Sequence, residues 1–354
     1  MANAHKPSTT KVAPTINQMK KVIVTGCAGF IGMHCTQTLL AQGYEVFGID
    51  DLNEYYDPSL KMARLSNLKN HQNFQFEEMD ISNCAAVSQI FKRARPVRVL
   101  HLAAQAGVRY SLEQPKKYTD SNLIGFANIL EGCRLSQVEH LVFASSSSVY
   151  GGNTKMPLSE SDAVDHPISY YAATKKANEI MAHTYAHLYS IPCTGLRFFT
   201  VYGPWGRPDM ALFKFTQSML AGEPIELYGN GQLVRDFTYI DDIVEGVLRI
   251  LAKPATSDML FDPMNPNPST SCAPYRIFNI GNSRPKTIMD YVAALELALG
   301  FEAKKIFLPL QPGDMKKTAA DTHALSSWIG FVPNTPIRVG VNRFVQWYRE
   351  YYKK

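Results

Sequence analysis

Short apolar runs alternate with longer stretches of helical periodicity over the first two hundred residues of the chain. The β-branched run Lys21–Thr25 predicts a strand, and Met33, Leu39 and Leu40 downstream recur at the spacing of one helix face. Further strands are predicted over 44–49, Phe74–Glu78, 97–102 and 141–145. Residues 82–94 and 115–135 read as helices between them, and another helix carries Tyr171 and Lys175. Such alternation predicts an α/β protein with a doubly wound parallel sheet, whose ligands lie beyond the carboxyl ends of the strands. Asp50, Asp80, Ala103 and the serines 145–148 all fall at those predicted ends. Past Thr200 the pattern loosens and proline becomes commoner, which predicts a smaller α/β lobe covering a substrate. A helix is expected over 209–221, a strand and turn over 226–232, and a crossing back to the first lobe within 236–253. The division is therefore 21–199 for a nucleotide domain and 200–354 mainly for a substrate lobe. The segment 254–274, rich in Pro, Ser and Asn, reads as a surface loop. Phe344, Trp347 and Tyr351 form a packing stripe on a last helix.

The first strand ends at Gly26, Gly29 and Gly32, and a helix follows. Strand, glycine turn and helix N-terminus in that order form a pyrophosphate site, because backbone N–H groups and the helix dipole face the anion. The spacing is GxxGxxG rather than GxGxxG. Asp50, eighteen residues past Gly32, stands where a carboxylate accepts ribose hydroxyls and repels a 2′-phosphate, so NAD is expected over NADP. Tyr171 and Lys175, four apart on a helix, share a face and can enter one cleft. A free phenol, with a pKa near ~10, is a poor base at neutral pH. Lowering it by about three units takes about 4 kcal/mol of phenolate stabilisation. The Lys175 ammonium and a nicotinamide cation are two sources of that field. The pattern predicts proton abstraction from a hydroxyl, coupled to hydride transfer.

These residues resemble the extended short-chain dehydrogenase/reductases, a Rossmann-fold family acting on nucleotide sugars. The resemblance is carried by Gly26, Gly29 and Gly32, Asp50, Asp80-Ile81, His101 to Gln105, Asn122, Ser145 to Gly151, and Tyr171-x-x-x-Lys175. It implies tightly held NAD, contacted by Phe30, Ile31, Asn53, Asp80, Ile81, Leu102, Ala103, Ala104, Gln105 and Asn122. A catalytic set of Ser146, Tyr171 and Lys175 follows from the same match, with Ser147, Ser148 and Arg109 on the substrate side. Sugar 4,6-dehydratases carry an Asp-Glu pair after the catalytic hydroxyl, and UDP-glucuronate decarboxylases a Glu just before the valine. Ser147 and Ser148 occupy those positions here, so neither apparatus is present. Oxidation followed by re-reduction at one sugar carbon remains, which is epimerisation. Residues 51–58, 198–210 and 273–281 resemble the UDP-glucuronate 4-epimerases. That likeness implies that Thr200 and Arg207 hold the sugar carboxylate, a task suited to a planar guanidinium. Arg235 and Asp314 resemble UDP-contacting positions, whereas Gln311 stands where UDP-galactose epimerases place an arginine. A homodimer through 115–135 and Tyr170–Tyr189 is a further implication.

Composition narrows the alternatives. Hydrophobic residues make up 45% of the 354, and the net charge of +5 suits an anionic substrate without forming a nucleic-acid footprint. Six scattered cysteines lack CxxC spacing, so disulfide and zinc scaffolds lapse and a reduced, cytoplasmic setting is expected. His183 and His187 read as a helix face rather than metal ligands, and no metal is expected. Residues 1–20 lack a useful apolar core and predict a disordered leader; no run of eighteen apolar residues exists elsewhere, so no membrane partner is expected. Two rivals share most of these features. One is a 4-epimerase of UDP-glucose or UDP-N-acetylhexosamine; the other is an NAD-binding sensor that turns nothing over.

Overall fold

A computed structural model describes residues 20–311 and 315–354. Its centre is a seven-stranded sheet in the order Tyr275–Ile280, Cys193–Phe198, His140–Ser146, Arg98–His101, Lys21–Thr25, Glu45–Asp50, Phe74–Glu78. Every neighbouring pair is parallel, with Val22 opposite both Val46 and Arg98. The chain winds outward from Lys21–Thr25 and then returns to its other side. That reversal opens the crevice in which ligands bind in such sheets. The inner strands are buried on both faces: Val22, Val24 and Val142 pack to one side, Ile23, Val99 and Phe143 to the other. Near-continuous apolar runs are what a sheet covered on both faces requires.

Two strand ends fall one residue later than the pattern suggested, with consequences for the site. Asp50 and Ser146 are themselves the last residues of their strands. The stretch expected as one helix over 115–135 is helical throughout but changes pitch after Pro115–Tyr118. A π-helical segment, Thr119–Gly125, precedes the α-helix Phe126–Ser136. Gly125 lies against the Ile81 side chain, where a Cβ would come within 2.6 Å of it. Widened turns of this kind cluster at functional sites, and this one carries Asn122.

The second lobe is built from small pieces. Thr200–Tyr202 pairs with Phe237–Tyr239, Val234–Arg235 with Lys286–Thr287, and Ile225–Leu227 with Lys305–Phe307. The region expected to cross back is a strand, Phe237–Tyr239, followed by the helix Ile240–Ala252, whose Asp241 and Asp242 suit its N-terminal dipole. The predicted helix near 209–221 is Ala211–Leu220. The C-terminal helix Ile337–Tyr352 sets Trp347 and Tyr351 against Trp205, each at 5.1 Å between ring centroids, so its aromatic stripe is packing as expected. Among the described residues no helix is long and apolar enough to cross a membrane.

A buried polar network ties the sheet to the helix Tyr170–Tyr189, which carries Tyr171 and Lys175. Arg197 donates to both carboxylate oxygens of Glu179 at 2.8 and 2.9 Å, and Ser145 donates to Glu179 Oε1 at 2.6 Å. Arg197 also reaches the Tyr150 hydroxyl, which donates to Asn279; the Asn279 N–H donates to Glu160. Burial pushes the Glu160 carboxyl up to about 7, against the opposing backbone hydrogen bond from Asn279. A carboxyl raised on folding holds its proton more tightly in the native state, so its contribution weakens as pH climbs from about 4.5 through about 7. Glu160→Gln is therefore expected to be close to neutral at pH 5 and stabilising by about 3 kcal/mol at pH 8. Thermal melts of both proteins at the two pH values check this; a gap that stays constant with pH would rule it out.

Candidate active site

The strand ends and the second lobe enclose one cleft of about 1060 Å³. That is at the upper end of ligand sites, which run to roughly 1,000 Å³. Of the residues singled out above, the cleft is lined by Gly26, Gly29, Phe30, Ile31, Gly32, Asp50, Asn53, Asp80, Ile81, Leu102, Ala103, Ala104 and Gln105 along one side. Ser146, Ser147, Ser148, Tyr171, Lys175, Thr200, Arg207, Arg109 and Arg235 line the remainder. Asn122 does not line it. It sits behind the wall, accepting from Gln105 N at 2.8 Å and donating to Gln105 O and Thr174 Oγ1. Asn122 therefore sets the loop that faces the cleft. Asp314 lies outside the described residues, as does the leader up to residue 19.

The glycine turn suits a pyrophosphate for steric reasons. Gly26 has φ +72°, and a Cβ there would lie 2.8 Å from Ala103 N. At Gly32 a Cβ would run into the Gly26 carbonyl, so the helix Phe30–Ala41 starts hard against the turn. No side chain caps that helix, which leaves its first-turn N–H groups for an anion. Asp50 accepts from Ala28 N at 3.1 Å and Leu52 N at 3.0 Å, and Lys61 Nζ lies 3.6 Å from its Oδ1. Burial raises the Asp50 carboxyl while Lys61 holds it down. A backbone cradle that admits no side chain and a fixed carboxylate at the next strand end fit a dinucleotide.

Tyr171 and Lys175 share one face of the helix Tyr170–Tyr189, capped by Ser169, and Glu179 continues that face. Ser146 hydrogen-bonds the Tyr171 phenol and accepts from Ser148 N at 3.1 Å. The electrostatics differ from the expectation. Burial raises the phenol, and what opposes it is the Ser146 hydrogen bond and the field of Arg207. The Lys175 ammonium donates to Ala144 O at 2.8 Å, and burial lowers it to about 7. In this structure the phenol keeps its proton at neutral pH, so activating it needs further positive charge.

Arg207 enters the cleft from the turn after Tyr202. Its Nε and NH2 donate to Asp209 Oδ1 and Oδ2 at 2.9 and 2.5 Å, and Tyr55 donates to Oδ2 at 3.2 Å. Asp209 thus holds one edge of the guanidinium. The NH1–NH2 edge makes no hydrogen bond within the described residues and has the geometry to take a second carboxylate. Asp209, Tyr55 and Lys61 were missed in the sequence. Tyr55 reaches Asp209 across 154 residues, which no short motif spans, whereas Asp209 lies two residues from Arg207 in a run that was itself conspicuous. At the far end of the cleft Arg109 lies over the Tyr228 ring at 4.9 Å, and Arg235 NH1 donates to Val234 O and Lys316 O.

Residues 22–281 match the NAD dependent epimerase/dehydratase family. A probable UDP-glucuronate 4-epimerase of Rhizobium meliloti is 45% identical over 94% of this chain and 98% of its own length. UDP-glucuronate 4-epimerase 1 of Arabidopsis thaliana is 46% identical over 94% of this chain and 77% of its own. Among solved structures, the UDP-glucuronic acid 4-epimerase from Bacillus cereus, in complex with UDP-glucuronic acid and NAD, superposes with a TM-score of 0.83. It is 33% identical, and the match covers 94% of this chain and 100% of that one. With a glycine cradle, a strand-end carboxylate and a Ser/Tyr/Lys set in one cleft, the chain belongs to the NAD dependent epimerase/dehydratase family.

Proposed function

We propose that this protein interconverts UDP-glucuronate and UDP-galacturonate by inverting C4. The observation that carries the reading is Arg207, a guanidinium with an open edge in the cleft, close enough to act electrostatically on Tyr171. Bound NAD supplies the hydride acceptor for C4, the hydride that returns to the opposite face, and a positive charge beside the phenol. Tyr171 takes the O4 proton and gives it back. Ser146 donates a hydrogen bond to the C4 oxygen as it becomes a carbonyl, an interaction that strengthens with developing charge. Lys175 orients the nicotinamide ribose, and Asp50 accepts from the adenosine ribose. Thr200 and Arg207 hold the C6 carboxylate, while Arg235 faces the diphosphate. In this scheme 21–199 holds the cofactor and 200–354 chiefly the sugar nucleotide.

Asp209 supports a second reading. It neutralises Arg207, which favours a neutral UDP-hexose as substrate. Proton NMR of UDP-glucuronate and UDP-glucose incubations separates the two by which substrate develops the C4-epimer signals. Exposed apolar side chains on the two helices expected to dimerise, Ile124 (46%), Leu135 (60%), Ile180 (56%) and Leu188 (62%), support a homodimer. All six cysteines are free thiols, which supports a cytoplasmic setting.

A further inference from the structure

Arg64 is the buried group that neither the glycine cradle nor the catalytic set accounts for. It lies in the helix Pro58–Lys69, is fully buried, and its hydrogen bonds all go to neutral oxygens. NH1 donates to Ala28 O at 3.1 Å and to the Tyr56 hydroxyl at 2.6 Å. Nε and NH2 both donate to Trp205 O, at 3.1 and 2.7 Å, and NH2 also reaches Gly206 O at 3.2 Å. All five donors of the fork are engaged. Burying a cation without a carboxylate partner is costly, so this one is retained for what it holds. One end is the glycine turn, whose Ala28 N–H is fixed in turn by Asp50. The other is the turn immediately before Arg207.

That second turn is one the backbone would not adopt unaided. Trp205 sits at φ +63°, a left-handed conformation that bulky residues take up only where surroundings impose it. Arg64 holds its carbonyl from one side, and Trp347 and Tyr351 pack on its ring. His34, in the helix that opens the glycine cradle, donates to the adjoining Pro204 O at 3.0 Å. Burial lowers His34 to about 4, so it remains neutral at working pH and acts as a simple donor.

We infer that Arg64, assisted by His34, is a positioning residue that registers the Arg207 clamp against the dinucleotide cradle and so sets selectivity for an acid sugar. The inference rests on the reading that Arg207 faces the sugar carboxylate. Without Arg64 the two half-sites drift relative to each other, and displacements near 1 Å in such constellations cost up to about a hundredfold. A lysine cannot substitute, since an ammonium has three donors and no fork.

The test uses the full-length, NAD-loaded protein and its Arg64→Lys and His34→Leu variants, with UDP-glucuronate and UDP-glucose titrated calorimetrically. Wild type is read first: no preference for UDP-glucuronate there would remove the Arg207 reading itself, and this inference with it. Given that preference, Arg64→Lys is expected to weaken UDP-glucuronate about tenfold and UDP-glucose less than about twofold. His34→Leu is expected to shift the same ratio about threefold. Both variants are expected to release UDP-pentose, a product that a merely less stable protein does not make. An unchanged affinity ratio in both variants, or parallel losses for both ligands, overturns the inference. If Arg64→Lys does not fold, the His34→Leu ratio decides alone.

Discussion

Replacing Tyr171 by phenylalanine is expected to lower UDP-glucuronate turnover by about 10³-fold or more while leaving bound NAD at the wild-type level. The phenol lines the cleft beside Ser146, and the substitution removes one oxygen without changing the ring. Tyr171 is packed edge-on against Tyr118 at 6.1 Å between centroids, and phenylalanine keeps that contact. The glycine cradle and Asp50 are untouched, so the cofactor stays. The loss arises because the nearest alternatives among the described residues are engaged: Lys175 donates to Ala144 O, and Ser146 accepts from Ser148 N. Steady-state turnover and the NAD released on denaturation check both halves. Turnover within tenfold of wild type at equal NAD content contradicts the assignment.

Replacing Arg207 by alanine is expected to raise the KM for UDP-glucuronate by about 10²-fold and to divert part of each turnover to UDP-pentose. A ketone at C4 is β to the C6 carboxylate, and β-keto acids lose carbon dioxide as carboxylate charge moves into an enolate. A guanidinium on the carboxylate keeps the charge in place and holds the carboxylate bond out of line with the carbonyl π system. Asp209 and Tyr55 fix the inner edge of that guanidinium, so the open edge is presented in one orientation. Kinetics on UDP-glucuronate with the UDP-pentose peak measured alongside is the check, and wild-type KM with no pentose excludes the clamp. Alanine also strands Asp209 in a part-buried site, so NAD content is recorded to show that the nucleotide half is intact.

Where local chemistry sets the structure, it was legible in the chain. Lys21–Thr25, the glycine turn and Asp50 announce themselves because each is short and each has one physical use. The same holds for the serines after His140–Ser146 and the Tyr171–Lys175 pair. The helix Pro58–Lys69 was not legible, and its buried face explains why. Lys61 and Arg64 lie there beside Leu60, Leu65 and Leu68, so two cations interrupt the apolar period. Those two cations hold Asp50 and the turn before Arg207. The last sheet strand, Tyr275–Ile280, was hidden by distance, since its partner Cys193–Phe198 precedes it by some eighty residues and parallel pairing leaves no local mark. The π-helical segment at 119–125 carries no mark of its own in the sequence, and the close approach of its Gly125 to Ile81 joins elements that the sequence places apart. The partner of Lys175 was illegible for a related reason. Helical spacing put Lys175 on the right face, but whether its ammonium meets the phenol or a carbonyl depends on the neighbouring strand.

The central claim is that C4 is inverted by a hydrogen that leaves and returns without meeting solvent. Incubating the purified protein with UDP-glucuronate in D2O, with no added NAD, and following the C4 signals by proton NMR tests it most directly. UDP-galacturonate carrying protium at C4 is the predicted result. Deuterium at C4 of the product would mean that the carbon gives up a proton rather than a hydride, and the account of the site would be wrong.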